Sequence, residues 1–97
     1  MNVRFAELKD LDYCIESDYK HVSEALVRKW IEEKVAIVAE VDRKPRGYLR
    51  MEYLWLKIPY IGVIRVDEEY RRRGVGTAMI KFLEEYLRRC GYKVLYS

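Results

Sequence analysis

A short segment rich in glycine and arginine stands between a predicted strand and a predicted helix, in the order Arg71-Arg72-Arg73-Gly74-Val75-Gly76-Thr77. The first turn of a helix leaves several backbone N–H groups unpaired and carries the positive end of the helix dipole, so it is suited to hold phosphate. Gly74 and Gly76 lack a Cβ atom, which lets a ligand approach the main chain closely. The arginines add positive charge. The segment therefore predicts a phosphate-binding loop.

Two familiar phosphate motifs do not match this loop. The Walker motif needs a lysine after its glycines, and here Thr77 follows Gly76 directly. The dinucleotide fingerprint needs a longer glycine series than the single G-x-G present here, and the preceding strands are predicted as a meander. A solvated basic turn is the plain alternative, but it leaves the two glycines unexplained.

Capping residues and apolar periodicity predict the elements that position the loop. Asp10 and Ser23 are placed to cap two helices, the second of which ends near Lys34, and a third helix ends at Gly91. Residues 42–47 have the composition of a turn. The predicted strands are residues 3–6, 35–41, 48–56, 60–66 and 92–96. The apolar face of the third helix comprises Val75, Met79, Phe82, Leu83, Tyr86 and Cys90.

Residues 66–78 closely resemble the acetyl-CoA-binding signature of the GNAT superfamily of N-acetyltransferases. In that family a [Q/R]-x-x-G-x-[G/A] loop follows the fourth strand and opens the third helix, and Arg71, Gly74 and Gly76 match its defining positions. Glu68 stands where many members have proline. The predicted order β-α-α-β-β-β-α-β also matches the family. The resemblance implies one α+β domain over residues 1–97, an α/β sandwich whose mostly antiparallel sheet carries helices on both faces.

The same resemblance implies acetyl-CoA as acetyl donor and direct attack by a primary amine on the thioester, with no metal. The backbone amides of residues 72–77 would hold the CoA pyrophosphate. The end of the fourth strand would pair with the pantetheine arm and polarise the thioester carbonyl. The implied cofactor-binding residues are Ile64, Arg65, Val66, Arg71, Arg72, Arg73, Gly74, Val75, Gly76 and Thr77.

The sequence departs from the family where acid–base catalysis is expected. Some members carry a glutamate base at the start of the fourth strand, where this sequence has Tyr60. Glu52, on the neighbouring predicted strand, is the nearest acidic candidate, and a plain solvent-facing role is equally compatible with its position. His21 lies in the segment that borders the acceptor site in the family, with a surface role as the alternative. The general base and acid, and the acceptor itself, stay unassigned.

Family members usually continue beyond the fifth strand into another helix and two more strands, whereas this sequence ends at Ser97. We therefore expect a C-terminally truncated fold whose last strand leaves an open edge. Such an edge invites pairing with another chain, so a homo-oligomer through it is expected. A non-catalytic CoA-binding or interaction module, or a fragment completed by another chain, is the alternative to a self-contained enzyme.

Composition sets the remaining expectations. The chain has 97 residues, 51% of them hydrophobic and 36% charged, which excludes disordered and fibrous classes. It has no apolar run long enough to span a membrane and no signal-like N-terminus, so a cytoplasmic protein is expected. Few amides and many Glu, Lys and Arg residues are typical of a thermophile's surface. Cys14 and Cys90 are expected to be buried thiols.

The net charge of +3 is mild and does not require a nucleic-acid partner. A nucleic-acid-binding domain is nevertheless a third functional class to consider. It would use Arg43, Arg46, Arg50 and the arginines at 71–73.

Overall fold

The computed structural model describes residues 1–55 and 57–92, which form a four-stranded sheet with helices on both faces. Its strands are β1 (Asn2–Phe5), β2 (Ala36–Val41), β3 (Lys44–Leu54) and β4 (Ile58–Val66), and its helices are α1 (Leu11–Ser17), α2 (Glu24–Glu32) and α3 (Val75–Arg89). The strand order is β1-β2-β3-β4, and each neighbouring pair is antiparallel. The predicted order of elements is confirmed through α3. The predicted strand at 92–96 lies outside the described residues, apart from Tyr92.

Helices α1 and α2 cover one face of the sheet. Side chains alternate between the two faces along a strand, so Ala36 and Val38 of β2 and Tyr48 of β3 point toward this pair of helices. Cys14 and Val27 meet them from the helices, and both are fully buried. Burial raises the pKa of the Cys14 thiol to about 12, which keeps it protonated and unreactive.

Helix α3 covers the opposite face. The alternate residues of the same strands, Ile37, Ala39, Leu49 and Met51, pack against it. The fully or almost fully buried residues of α3 are Val75, Met79, Leu83 and Leu87. The prediction that Cys90 is buried was wrong, because Cys90 is the exposed residue that ends the helix. Leu87 takes the core position that ends the apolar stripe.

The β2–β3 hairpin is tighter than the sequence predicted. Asp42 and Arg43 both have positive φ, 55° and 67°, and they alone connect the two strands. Two consecutive left-handed residues form the turn whose twist matches that of a hairpin. The predicted turn at residues 42–47 and the strand start at residue 48 were therefore wrong, since β3 already begins at Lys44.

Gly47 serves helix packing and not the turn. A Cβ atom at this position would lie 2.9 Å from Val75 Cγ1 and 3.0 Å from Met79 Cε. The absence of a side chain lets α3 approach the sheet closely, which fixes the position of the helix that follows the arginine-rich loop.

The helix ends follow the predicted capping chemistry in two of three cases. The backbone N–H of Leu26 donates to Ser23 Oγ at 3.2 Å. At the end of α3, Gly91 has a φ of 92°, and the N–H of Tyr92 donates to the carbonyl of Leu87 at 2.9 Å. This is the Schellman arrangement that a C′ glycine forms. Asp10 does not cap α1, because its carboxylate binds the Arg4 guanidinium. Among the described residues, none of the helices has the length and apolar character needed to cross a membrane.

Candidate functional site

The loop after β4 contains a glycine in the left-handed region of backbone conformation. After Val66 the chain makes a short 3₁₀ turn, Glu68–Tyr70, and α3 begins at Val75. Gly74 is the residue that precedes the helix, with a φ of 80° and a ψ of 11°. A Cβ atom on Gly74 would meet nothing within 4 Å. Glycine is therefore required here by the left-handed backbone and not by lack of space.

Gly76 has the opposite character. It lies in the first turn of α3 without a positive φ, and a Cβ atom would stand 3.8 Å from Val66 Cγ2 and 3.9 Å from Ile64 Cδ1. These are ordinary contact distances, so the protein's own packing tolerates a side chain at this position. The Cβ would instead occupy the space between the start of α3 and the end of β4. The glycine keeps that space open.

This space is a cleft of about 250 Å³ at the N-terminus of α3. Its lining residues are Val66, Tyr70, Arg71, Arg72, Gly74, Val75, Gly76 and Thr77. The structure thus brings together seven of the ten residues that the family resemblance implied. Of the other three, Ile64 is exposed near Gly76, Arg65 borders a different cavity, and the Arg73 guanidinium lies over the Tyr70 ring at 5.1 Å.

The three arginines of the loop do different things. Arg71 Nε donates to the carbonyl oxygen of Val66 at 3.0 Å, so this side chain braces the loop against the end of β4. Arg73 stacks on Tyr70. Arg72 is exposed, has a φ of 65° and lines the cleft.

A second site lies at the other end of β4, where the strand carries a bulge. Arg50 pairs with Val63 and Met51 pairs with Ile61, so Gly62 has no residue opposite it on β3. A Cβ atom on Gly62 would come within 2.6 Å of Glu52 Oε2. The glycine therefore makes room for this carboxylate. This bulge was not predicted, although an isolated glycine inside a strand pattern is the usual signal of one.

Glu52 lies next to a buried arginine that is already engaged by another carboxylate. Arg50 Nε donates to Asp18 Oδ2 at 2.7 Å, and Nη2 donates to Asp18 Oδ1 at 3.1 Å. The remaining terminal nitrogen, Nη1, forms an ion pair with Glu52 Oε1 at 2.9 Å, and the guanidinium carbon lies 4.0 Å from the centre of the Trp30 ring. The guanidinium is 4% exposed and Glu52 41%, so Glu52 is the part of this network that reaches solvent.

The electrostatics of this network follow from burial and hydrogen bonding. Burial alone raises the pKa of Asp18, but hydrogen bonds from Arg50 and Tyr48 outweigh it and hold the pKa below the ordinary range. Tyr60 lies directly opposite Glu52 in the β3–β4 pair. The approach of its hydroxyl to the Glu52 carboxylate raises the pKa of Tyr60. Asp18 is therefore a carboxylate and Tyr60 a neutral phenol at neutral pH.

Glu52 and Tyr60 face a cavity of about 480 Å³ between α2 and the first half of β4. His21 also lines it, together with Tyr19 from the same connecting segment. Their rings are stacked, with centroids 6.1 Å apart and an angle of 5° between planes. The Tyr19 hydroxyl donates to the Gly62 carbonyl at 3.3 Å, which ties the segment to the bulge.

Two further observations concern a nucleic-acid surface and a metal site. The alternative of a nucleic-acid-binding domain included Arg50 in its basic surface. Arg50 is buried and paired with a carboxylate, so it cannot belong to such a surface. Within residues 1–55 and 57–92, no three His, Cys, Asp or Glu side chains are grouped so that they could hold a metal ion.

Comparison with known proteins agrees with this geometry. The family model described as the acetyltransferase (GNAT) family matches residues 5–97. The chain therefore belongs to the GNAT family of acetyltransferases.

Among individual proteins, the chain is similar to an uncharacterized N-acetyltransferase of Methanocaldococcus jannaschii, with 32% identity over 76 residues. The match covers 69% of this chain but 34% of that protein, so the chain spans about a third of the length of this curated relative.

Two solved structures show the same fold. The first is an aminoglycoside 6'-N-acetyltransferase from Acinetobacter haemolyticus, with a TM-score of 0.80, 24% identity, and coverage of 100% of this chain and 78% of that one. The second is an N-acetylglutamate synthase from Neisseria gonorrhoeae, solved with coenzyme A and N-acetylglutamate, with a TM-score of 0.83 and 16% identity. The match covers 97% of this chain and 24% of that one. At these identities the similarity establishes the fold alone.

Proposed function

We propose that the chain binds acetyl-CoA along β4 and transfers the acetyl group to a primary amine. The observation that carries the proposal is the cleft beside Gly76, which the protein's own packing leaves open at the N-terminus of a 15-residue helix. The unpaired amides and the dipole of α3 favour an anion at that point. The pyrophosphate of CoA fits both the charge and the close backbone approach.

The pantetheine arm would extend from this cleft along the outer edge of β4. Among the described residues, β4 pairs with β3 on one edge and has no strand on the other. Its unpaired edge groups are available to the amides of the arm, as they would be to an added strand. From Val66 to Gly62 is four residues, or about 13 Å at roughly 3.3 Å per residue. The extended arm covers that distance, which brings the thioester to the bulge.

The bulge supplies a place for the reacting carbonyl. A bulge interrupts the ladder and leaves a backbone group free of its usual partner. An N–H aimed at the thioester oxygen stabilises the negative charge that forms there when the amine attacks. The thioester carbonyl would therefore be polarised near Gly62 and not at Ile64–Val66, where the family resemblance had placed it.

Glu52 and Tyr60 are placed for the two proton transfers that the reaction needs. Glu52 accepts a proton from the ammonium of the acceptor, so that the nitrogen becomes a nucleophile. The nitrogen forms a bond to the carbonyl carbon, and the C–S bond breaks. The neutral Tyr60 phenol gives a proton to the departing thiolate. The Tyr60 phenolate then takes the second proton from the nitrogen, which yields the amide, and Glu52 releases its proton to water. The net products are the N-acetyl amide, CoA thiol and one proton.

The experiment is a calorimetric titration of the chain with CoA. Gly76→Glu fills the cleft and repels phosphate, so we expect binding to weaken at least about 100-fold, equivalent to roughly 2.7 kcal/mol. Ala25→Glu is the matched control, because it adds the same side chain at the second residue of an exposed helix start, in α2. We expect it to bind CoA as the unmodified chain does. Equal CoA affinity of Gly76→Glu and the unmodified chain would contradict the proposal.

A thiol-release assay with acetyl-CoA and simple amines then separates catalysis from binding. We expect Glu52→Gln to lower kcat by about 10²-fold or more, with little change in KM for acetyl-CoA. A chain that binds CoA normally and releases no thiol with any amine would instead be a non-catalytic CoA-binding module.

A further inference from the structure

The cavity beside Glu52 has a definite charge. Two carboxylates, Asp18 and Glu52, face one guanidinium, that of Arg50. Asp18 occupies two nitrogens of the guanidinium, Glu52 occupies the third, and Trp30 covers its face. Nη1 is buried and makes no hydrogen bond to the described residues, so it stands at ion-pair distance from Glu52 without being hydrogen-bonded to it. The guanidinium is enclosed between the two carboxylates, and the charge left facing the cavity is the partly exposed carboxylate of Glu52.

The walls of the cavity suit the carbon stem and the ammonium of an amine. Tyr19, His21 and Tyr60 contribute aromatic rings near Glu52. Aromatic faces attract organic cations, and the attraction grows when the cation is partly desolvated. Val22 and Leu26 add apolar surface on the α2 side, where Leu26 is 40% exposed.

We propose that this cavity selects acceptors that carry a primary ammonium on an apolar stem and no carboxylate beside the nitrogen. The inference rests on the proposed acetyl transfer, because it describes the acceptor of that reaction. A carboxylate next to the amine would meet Glu52 at close range. Among the described lining residues Arg50 is the one arginine or lysine, and its guanidinium is buried between two carboxylates, so it does not reach the ligand to offset that repulsion.

Two sources share this chemistry. One is a free alkylamine, and the other is the N-terminus of a peptide, whose neighbouring group is an amide. The amino acid itself differs from both by its carboxylate. The series 3-methylbutylamine, leucinamide and leucine keeps one side chain and changes only that group.

The test measures binding of the three ligands by the fluorescence of Trp30. Trp55 is 78% exposed at the β3–β4 turn, so the background variant Trp55→Phe leaves Trp30 as the only tryptophan. We expect 3-methylbutylamine and leucinamide to bind at least about tenfold more tightly than leucine, with and without CoA present. The tighter of the two then identifies the source as a free amine or a chain terminus.

Glu52→Gln should abolish most of this preference by weakening the two amines and not leucine. Glu24→Gln is the charge control, because Glu24 is exposed at the start of α2 and pairs with Arg28. It should keep the preference. Leucine binding as tightly as the amines, no binding of any of the three, or an unchanged preference in Glu52→Gln would each overturn the inference.

Failure of the proposed function gives a different pattern. If the chain does not bind CoA, acetyl transfer is contradicted, while the amine series measured without CoA still decides the selectivity of the cavity. If CoA binds normally and leucine is preferred, only the selectivity is overturned.

Discussion

Two clusters of one tyrosine, one aspartate and one arginine lie at different points along the β3–β4 pair, and they differ chiefly in burial. In the buried cluster, Tyr48 donates to Asp18 at 2.6 Å and Arg50 binds the same carboxylate through two nitrogens. Arg50 and Asp18 are 4% and 0% exposed.

The half-exposed cluster lies where β4 leads into the arginine-rich loop. The Tyr13 hydroxyl donates to Asp67 Oδ1 at 2.9 Å, and Arg46 Nη1 lies 3.7 Å from Asp67 Oδ2. The arginine and aspartate side chains are 28% and 35% exposed. Here water partly solvates both charges, so the fold does not depend on this ion pair.

The two clusters contain the same residue types, so burial and not residue type decides how much each ion pair contributes to stability. Removing one partner of a buried pair leaves an uncompensated charge in the core, whereas water replaces the lost partner at a half-exposed pair. The buried cluster also orients Glu52 through Arg50, so it couples the core to the proposed acceptor cavity. The half-exposed cluster lies beside the proposed phosphate loop, but it orients no charged residue of that loop.

The largest effect is expected from Asp18→Asn. Loss of this carboxylate leaves the Arg50 guanidinium buried with only Glu52 beside it, and we expect the free energy of unfolding to fall by about 3–5 kcal/mol. Denaturant unfolding followed by circular dichroism measures the change. A loss below about 1 kcal/mol would show that the buried cluster behaves like a surface pair and would remove the contrast.

The same variant changes the response to acid. The pKa of Asp18 is lower in the folded chain than in the unfolded chain, where it is about 3.9. Its stabilisation is therefore fully present above the unfolded pKa, and it is lost as the pH falls through the folded pKa. Between about pH 5 and pH 3 the unmodified chain should lose more stability than Asp18→Asn. Equal losses of stability in the two chains would contradict a lowered pKa of Asp18 in the folded chain.

The loop at residues 71–77, the proposed phosphate site, was predictable because its residues are contiguous. Arg71, Gly74 and Gly76 form one short pattern between a strand and a helix, and local physics explains their positions. The proposed acceptor cavity was predictable only in part. The family resemblance pointed to His21, Glu52 and Tyr60, but these residues come from separate elements. They meet only through strand pairing and the Gly62 bulge.

Two of the wrong predictions, those at Gly47 and Arg50, have the same physical cause. Gly47 follows a turn-like stretch, yet it lies in β3 under α3, where close packing requires it. Arg50 resembles any other surface arginine in the sequence, and only the fold supplies Asp18 and Trp30 to bury it. In both cases the deciding partner is distant along the chain.

An intermediate effect is expected from Gly74→Ala, which sharpens the comparison at the loop end of β4. Gly74 has a φ of 80° and open space around it, so the cost is backbone strain of about 1–2 kcal/mol. Gly76→Ala is the control, because its Cβ meets only ordinary contacts and alanine favours a helix, with an expected gain of up to about 1 kcal/mol. Thermal unfolding measures both. Equal stability of the two variants would show that the left-handed backbone at Gly74 is not costly.

The smallest effect is expected from Asp67→Asn, the counterpart of the first substitution in the half-exposed cluster. Asparagine keeps an oxygen that accepts from Tyr13. The Arg46 side chain is 28% exposed, so part of it stays in water although its Nε is buried, and its guanidinium lies over the Tyr70 ring at 4.8 Å. Because the ion pair is long and partly in water, we expect a loss of at most about 1 kcal/mol, reduced further by salt. Unfolding in low and high salt, beside Asp18→Asn under the same conditions, measures the contrast. A loss of about 3 kcal/mol or more would mean that Asp67 anchors the fold as Asp18 does, and that burial does not separate the two clusters.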